Sequence, residues 1–460
     1  MINLHKIEAY RENNRIEAKR ATGGFPDSLW ETYSAFANTI GGLILLGVEE
    51  AEDKSFHVVG VPDSAGYITI FWSYINDTQK VSVNILSPED VYVQTLDEKE
   101  VLVIQVPRAD RRNRPVFIGG NPFTGSYRRD GEGDYHCTPE EVRSMLRDRD
   151  DTPADLSPIT TLSLEDLSSE SLCEFRLLMA MRNPNHSWNQ LKNQDFLQMT
   201  GATAWDNAQK ILHPTLAGLL LFGRFAIIKQ TAPSFHLEYR EELEGGIVIR
   251  SGQSNWSGNL FDFYQKVSAR LKEVSNELSP HNPALEASMQ EAAINAILHT
   301  DYLGGQGLQI IRHQDALEVK NSGLLRVSPD HAQRGNVADS RNVGLTRLFF
   351  LIGVGSKLGK GLKGIYATWA KQGWNPPVLS ESFRPETTSL QLPLRAFSKD
   401  RLQQKIVDVL TRKISAHPED LSRSIGVSPV LIETALSSLL QDGLVSRSDR
   451  DGQDLYSLRA

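Results

Sequence analysis

A chain of 460 residues is long enough for about three domains, and an apolar fraction of 40% supports a sizeable core. The formal net charge of -8 excludes a protein that coats nucleic acid through its overall field, so any such binding must use local basic patches. The two cysteines, Cys137 and Cys173, exclude a disulfide scaffold and a four-cysteine zinc site and point to a reducing compartment. The charged residues 1–17 lack the apolar core of a secretory signal, and the longest apolar runs, 216–222 and 348–352, are core-sized. A cytoplasmic protein without a membrane partner is expected.

In chain order, residues 1–149 read as an α/β domain. A helical stretch ends near Arg20, a second helix covers residues 29–37, residues 38–42 break it, and residues 43–48 form a buried strand. Residues 81–86, 91–96 and 101–106 alternate as strands do. Thr138-Pro139-Glu140-Glu141 opens a helix that runs to about Arg147, with a capping box and proline at its first position. Residues 147–158 are acidic and proline-containing and read as a linker. The connecting α/β region, 150–272, has a helical patch at 170–181, an apolar run at 215–224 and strands near 235–239 and 247–249.

The unit 273–397 opens with an amphipathic helix from Asn282-Pro283, whose apolar stripe is Leu285, Met289, Ala292, Ala293, Ala296 and Ile297. Strands at 308–312 and 316–319, a turn at Asn321-Ser322-Gly323, a helix near 344–352 and a glycine-rich loop at 353–364 follow. Residues 398–460 give helices at 402–410, 418–425 and 430–441 and a hairpin at 444–458, the pattern of a winged helix-turn-helix. The fold class is multidomain α/β (α+β).

Glu12 and Glu17 lie five residues apart, and Glu50 follows the strand at 43–48. Three carboxylates converging on one point repel unless a divalent cation neutralises them, and Mg2+ or Mn2+ prefers oxygen ligands. Such a metal would activate water and stabilise charge on a phosphodiester, with Lys19 on the phosphate. The alternative is a solvated helix face and a charged hairpin tip. Arg108, Arg111, Arg112 and Arg114, then Tyr127, Arg128 and Arg129, offer phosphate contacts and a base-stacking ring. Asp110, Asp130 and Glu132 allow a plain solvated loop instead.

Together the acidic pair, the EAK triplet, SAFANTIGGLILLGVEE at 34–50 and HVVGV at 57–61 resemble the Schlafen-type AlbA-like domain. The resemblance covers roughly the first third of the chain. It implies an AlbA/Schlafen-like α/β fold and a nucleic-acid partner, RNA or DNA. In Schlafen-family ribonucleases three acids of this motif carry metal-dependent cleavage, here Glu12, Glu17 and Glu50, and the implied role is stress or phage defence. Ala18 replaces the usual aromatic and Glu50 the usual aspartate.

Glu291, Asn295 and His299 follow one another at i, i+4 and i+8 along the helix that starts at 283. With Asn321 and Gly323 and the loop Gly353, Gly355, Lys357, Gly359, Lys360 and Gly361, their order resembles a diverged GHKL-type (Bergerat) ATP-binding domain, an α/β sandwich. The resemblance implies ATP as cofactor, Glu291 as general base, Asn295 as magnesium ligand and the loop, with Lys363, as phosphate lid. Asn321 and Gly323 stand where the adenine-reading aspartate motif is expected. A P-loop is excluded, since Gly361 follows Lys360 where serine or threonine would hold the metal. The alternative is a degenerate domain that only dimerises.

The candidate recognition helix, 428–441, exposes Ser428, Glu433, Thr434, Ser437 and Ser438 but no arginine or lysine for guanine; Arg447 and Arg450 on the wing could meet phosphate. Two functions stand: an ATP-responsive nucleic-acid-binding protein with a metal-dependent endonuclease domain, or an ATP-switched DNA-binding transcriptional regulator. A homodimer or higher homo-oligomer is expected for either.

Overall fold

Ile16 and Ala18 alternate with Glu17 and Lys19, and a strand satisfies that period of two: β1 (Ile16–Lys19). The helix expected to end near Arg20 is corrected over these residues, because a strand sends Ile16 and Ala18 into one apolar cluster and both charges to the opposite side. A computed structural model describes residues 15–459 except 207, 244, 254–255, 336–338, 356–359, 395–398, 414, 426–428 and 451–452, with the backbone alone for 399, 423, 429–431, 449–450 and 453. The chain divides into two units, one through Thr152 and one from Pro153.

In the first unit β1 is followed by α1 (Leu29–Asn38), β2 (Gly42–Leu46), β3 (Val48–Glu50), β4 (Phe56–Val58), α2 (Ser64–Ile75), β5 (Val91–Leu96), β6 (Lys99–Val106), α3 (Pro122–Gly125), β7 (Tyr127–Asp130), β8 (Gly133–His136) and α4 (Pro139–Arg149). β1 lies parallel to β2 at the edge of a sheet of order β1-β2-β6-β5, whose other pairings are antiparallel. The expected strand at 43–48 breaks at Gly47, whose φ of 92° lets the chain turn into the β3–β4 hairpin. Residues 81–86 form no strand, only a bridge from Val81 to Ile118. On one face of the sheet Ile44, Leu46, Leu102 and Ile104 pack under α1 and α2, where Trp30 stacks on Tyr74 with centroids 4.2 Å apart. Ile16, Leu45, Val48, Phe56, Val101 and Val103 fill the other. α4 starts as its sequence dictates: Thr138 Oγ1 accepts from Glu141 N and Glu141 accepts from Thr138 N, a box stabilising the helix by about 1 kcal/mol.

The second unit contains α5 (Ser169–Arg182), α6 (Asn193–Thr200), β9 (Thr203–Asp206), β10 (Ile211–Pro214), α7 (Leu216–Phe222), α8 (Phe225–Thr231), β11 (Leu237–Glu241), β12 (Val248–Arg250), α9 (Leu260–Leu278), α10 (Pro283–His299), β13 (Leu308–Arg312), β14 (Ala316–Ser322), α11 (Pro329–Arg334), α12 (Val343–Leu351), α13 (Gly361–Gln372), β15 (Val378–Phe383) and β16 (Glu386–Pro393). Its main sheet has the order β12-β11-β13-β14-β16-β15, with only β11 and β13 parallel. This sheet takes β11 and β12 from before residue 272, so it crosses the boundary expected there. The expected stripe of α10 is buried throughout, and α10 packs on α9, α13 and β14. The linker expected at 147–158 is corrected at two points: Arg147 is helical, and Asp155 is 1% exposed and accepts from Leu345 N at 3.0 Å, at the start of α12.

The chain then runs through α14 (Lys399–Lys413), β17 (Ser415–Ala416), α15 (Pro418–Ile425), α16 (Pro429–Gln441), β18 (Val445–Arg450) and β19 (Gln453–Leu458). A sheet of order β17-β19-β18 closes over a separate core that includes Leu402, Ile406, Leu421, Ile432, Leu436, Leu439, Val445 and Tyr456. Among the described residues no helix is long and apolar enough to cross a membrane.

Candidate functional site

The run SAFANTIGG that dominates the sequence of the first unit turns inward. Asn38 Nδ2 donates to Val116 O at 2.8 Å and Tyr127 O at 2.9 Å, and its Oδ1 accepts from Val116 N at 2.8 Å. Ser34 Oγ donates to Val116 O at 2.7 Å and accepts from Tyr127 N at 3.0 Å. The glycine pair is needed for close packing. A Cβ on Gly41, φ 72°, would lie 2.7 Å from Val106 O, and one on Gly42 would lie 2.7 Å from the Phe36 ring. These residues fasten α1 to the segments that carry the charges.

Of the three expected metal-binding acids, Glu12 lies outside the described residues. Glu17 is held between Lys19 Nζ at 2.9 Å and Arg129 Nη2 at 2.9 Å. The Arg129 side chain is 1% exposed, bridges on to Asp134 at 3.0 Å and stands over the Phe36 ring at 5.2 Å. Asp134 in turn accepts from Thr32 Oγ1 at 2.7 Å, and Lys19 donates to Ser28 Oγ at 3.1 Å. Glu50 pairs with Lys54 at 3.4 Å, and Lys54 reaches Glu132 on the β7–β8 turn at 3.2 Å. Among the described residues no group of three or more histidine, cysteine, aspartate or glutamate side chains can hold a metal ion. With both Glu17 oxygens already facing cations, the described residues alone do not fit Mg2+ or Mn2+.

Four of the six arginines of the first unit expected to meet phosphate are buried inside the fold. Arg111, Arg114, Arg128 and Arg129 are 4–7% exposed. Arg111 donates to Asp148 O at 2.8 Å and to Asp151 at 2.9 Å, and Arg128 pairs with Glu141 at 3.1 Å. The reading of these four as solvent-facing phosphate ligands is therefore corrected, since a buried guanidinium must keep its partners. Tyr127 is corrected likewise: it is 9% exposed, donates to Glu31 at 3.3 Å and packs on His136 with centroids 4.3 Å apart, so its faces are not open to a base. Arg112 is exposed beside Asp151 at 3.2 Å, and Arg108 is half-buried. Sequence reasoning missed the exposed Arg15, Arg20 and Lys54. Arg15 and Arg20 bracket the edge strand β1, a placement that only strand assignment reveals.

In the second unit Glu291, Asn295 and His299 share the half-buried side of α10. The Tyr264 hydroxyl is pushed up chiefly by burial; Ser268 and Arg182 oppose the shift, and Glu291 adds to it. Arg182 at the end of α5, whose charge acts on this hydroxyl, is a residue the sequence did not single out. Asn321 is 6% exposed and donates to Ser322 O at 3.0 Å, and Gly323 has φ 93°. Thr300, Asp301 and Tyr302, just past α10, are buried; Thr300 Oγ1 donates to Ala296 O at 2.6 Å and Tyr302 to Ile297 O at 2.9 Å. Gly353 and Gly355 adopt positive φ after α12. Lys357 and Gly359 lie outside the described residues. The expected lid ends at Lys360, which precedes α13, so Gly361 and Lys363 are helical.

Two residues missed in sequence complete this corner. The Arg341 guanidinium donates to His299 O and, at 2.9 Å, to Leu324 O. Asn342 Nδ2 donates to Leu298 O at 3.1 Å and Thr300 O at 2.8 Å. Arg341 also occupies the space beside Gly323, where a Cβ would meet its Cζ at 2.7 Å. Clefts of 360 and 680 Å3 share Trp256 and Lys266 in their linings, and neither is lined by a residue of the expected nucleotide site.

On the C-terminal hairpin Arg447 is exposed and pairs with Asp454 at 2.7 Å; the side chain of Arg450 lies outside the described residues. Glu433, Thr434 and Ser437 are exposed on α16.

Comparison with known proteins places these geometries. Residues 12–138 match the family model "Schlafen, AlbA_2", residues 143–238 a domain of unknown function (DUF8451), and residues 305–390 the model described as "Putative ATP-dependent DNA helicase recG C-terminal". No curated protein matches the chain. Among solved structures, the DIP2311 protein from Corynebacterium diphtheriae is 17% identical over 97% of this chain and 79% of its own, with a TM-score of 0.43. The N-terminal domain of the "Putative ATP-dependent DNA Helicase RecG-related Protein" from Nitrosomonas europaea is 34% identical over 30% of this chain and 92% of its own, with a TM-score of 0.23. By the family models, the chain carries a Schlafen AlbA_2 domain over residues 12–138 and a segment of the RecG C-terminal type over residues 305–390.

Proposed function

We propose that this chain is a DNA-binding regulator whose AlbA_2 domain holds a nucleic-acid strand without cutting it. One observation carries the reading: Glu17, the described acid at the centre of the family motif, is locked between Lys19 and Arg129. A carboxylate neutralised by two cations offers little to a divalent metal, whereas the same network keeps the edge of β1 rigid. Phosphates would meet the exposed Arg15, Arg20, Lys54 and Arg112. The ion pair of Arg20 with Glu49, at 3.3 Å, is solvated on both sides, so exchange for a phosphate is inexpensive. We read the C-terminal helices and three-stranded sheet as a winged helix, with Arg447 as a second phosphate contact.

Fluorescence anisotropy with labelled duplex DNA, single-stranded DNA and structured RNA tests this, over a salt series and with Mn2+ present. Binding with an intact probe is expected. Each of Arg20→Ala and Lys54→Ala should weaken binding to every sequence and reduce the salt slope by about one. Cleavage by the wild type in Mn2+ that Glu17→Gln abolishes would show the binding-only reading to be wrong.

A second reading, the metal-dependent nuclease with its role in stress or phage defence, has one observation in its favour. Glu50 Oε1 is buried and has no hydrogen-bond partner among the described residues. An oxygen left in that state is available to a cation. Cleavage lost in Glu50→Gln while binding persists would establish that reading.

A further inference from the structure

The β7–β8 hairpin turns its two faces to different surroundings. Residues opposite one another in an antiparallel pair share a face, so Tyr127, Arg129, Asp134 and His136 lie on one side and Arg128, Asp130, Gly133 and Tyr135 on the other. The first side belongs to the fold: Arg129 pairs with Glu17, Asp134 accepts from Thr32 and Tyr127 reaches Glu31. On the second side Tyr135 is 51% exposed, yet its ring is seated. The buried Arg128 guanidinium stands 5.8 Å from the ring centroid and is fixed in turn by Glu141 at 3.1 Å. The outer edge of the ring lies along the strand over Gly133. A Cβ there would meet Cε2 at 2.7 Å and Cζ at 2.9 Å, so the glycine is what lets the ring lie down. Both acids of the adjoining turn are paired, Asp130 with Arg128 at 3.5 Å and Glu132 with Lys54 at 3.2 Å, so a polyanion approaching the ring does not meet bare negative charge.

An exposed aromatic ring that is already seated loses little freedom when a flat partner lies on it. We propose that the solvent side of Tyr135 stacks an unpaired nucleobase, so that the strand held by the AlbA_2 domain is a single strand of DNA or RNA and not a duplex. The inference rests on the nucleic-acid reading given above and names its substrate class. Every base has a π-face, but within a duplex the neighbouring pairs cover both faces, and only an unpaired base can offer one to the protein. Lys54, which reaches the same turn, is placed to meet a phosphate of the stacked strand.

The test is anisotropy of the full-length protein with labelled, unstructured single strands of DNA and of RNA and with a blunt DNA duplex of equal length. Tyr135→Ala should weaken single-strand binding about tenfold and leave duplex binding and the salt slope unchanged, and Tyr135→Trp should keep the single-strand affinity. The tighter of the two single strands identifies the sugar. Gly133→Ala keeps the tyrosine but pushes its ring edge away, and should weaken single-strand binding in the same direction. 2-Aminopurine within the single strand should lose fluorescence on the wild type and keep it on Tyr135→Ala. Unchanged single-strand affinity in Tyr135→Ala, or an equal loss on single strand and duplex, would overturn the inference. If binding in that case still responds to Arg20→Ala and Lys54→Ala, the nucleic-acid reading of the domain stands without it. Absence of binding to every probe would overturn both. Should Tyr135→Ala fail to fold, Gly133→Ala and Tyr135→Trp carry the comparison.

Discussion

Asn38 in the first unit and Asn342 in the second do the same job with different company. Each buried amide donates to two backbone carbonyls belonging to segments that its own helix must hold. Asn38 works among neutral groups: Ser34 shares its acceptor, and Val116 N returns a bond to Oδ1. Asn342 works beside a cation, and Arg341 takes the carbonyl that lies between the two it holds. The neutral arrangement is complete in itself and can only hold the fold together. The charged one reaches further, because the same guanidinium also holds Leu324 O in the turn after β14.

The largest effect expected from breaking this contrast is at Asn38. Asn38→Ala leaves Val116 N and O and Tyr127 O buried with one bond fewer each, a loss of about 4 kcal/mol, read by urea denaturation of the N-terminal unit. Arg129→Met comes next, at about 3 kcal/mol, because Glu17 and Asp134 remain largely buried without their shared cation. A simultaneous Glu17→Gln should recover part of that loss, and full additivity would mean the pair is not coupled. Asn342→Ala should cost about 2 kcal/mol in the second unit, less than Asn38→Ala, since Ser340 and the backbone of residue 342 still reach Leu298 O.

The smallest effect is one of pH. Burial raises the Asp155 carboxyl above its ordinary value, against the amides of Leu345 and Gly344 and the charge of Arg347. The fold therefore favours the protonated form. That contribution is complete below the ordinary value of 3.8 and is lost as pH rises through the raised value in the folded state. Asp155→Asn cannot ionise, so its Tm relative to the wild type should climb with pH across the acidic range. A flat difference would mean that Asp155 titrates as an ordinary surface aspartate does.

Elements with strong local signals were legible from sequence. The box Thr138–Glu141 marks the start of α4, the period-two runs give β5 and β6, and the stripe from Leu285 to Ile297 gives α10 and its buried side. β1 was misread as a helix because only Ile16 and Ala18 carry its inward pattern, and its partner β2 lies far along the chain. α2 went unnoticed because it is apolar nearly all round, which blurs the helical period. The site was less legible than the fold. Arginines were weighed by their density in sequence, whereas Glu17 with Arg129, and Arg111 with Asp151, are pairs that only the folded chain creates. The motif residues of the resemblance were found, but whether a polar side chain holds a ligand or the backbone is a matter of where it points.

The attachment of α1 to Val116, Tyr127 and Arg129 also governs the order in which this protein can be made. During synthesis Ser34, Asn38 and Glu17 emerge long before the residues that satisfy them, and the loop that must close between them spans most of the first unit. Until β7 has left the ribosome, α1 can bury its apolar side against α2 and the sheet, but Asn38 lacks its acceptor at Tyr127 and Glu17 its partner Arg129. The N-terminal unit is thus a post-translational fold in miniature: nascent chains that stop before β7 should remain sensitive to protease, and protection should arrive in one step once the β7–β8 hairpin is free.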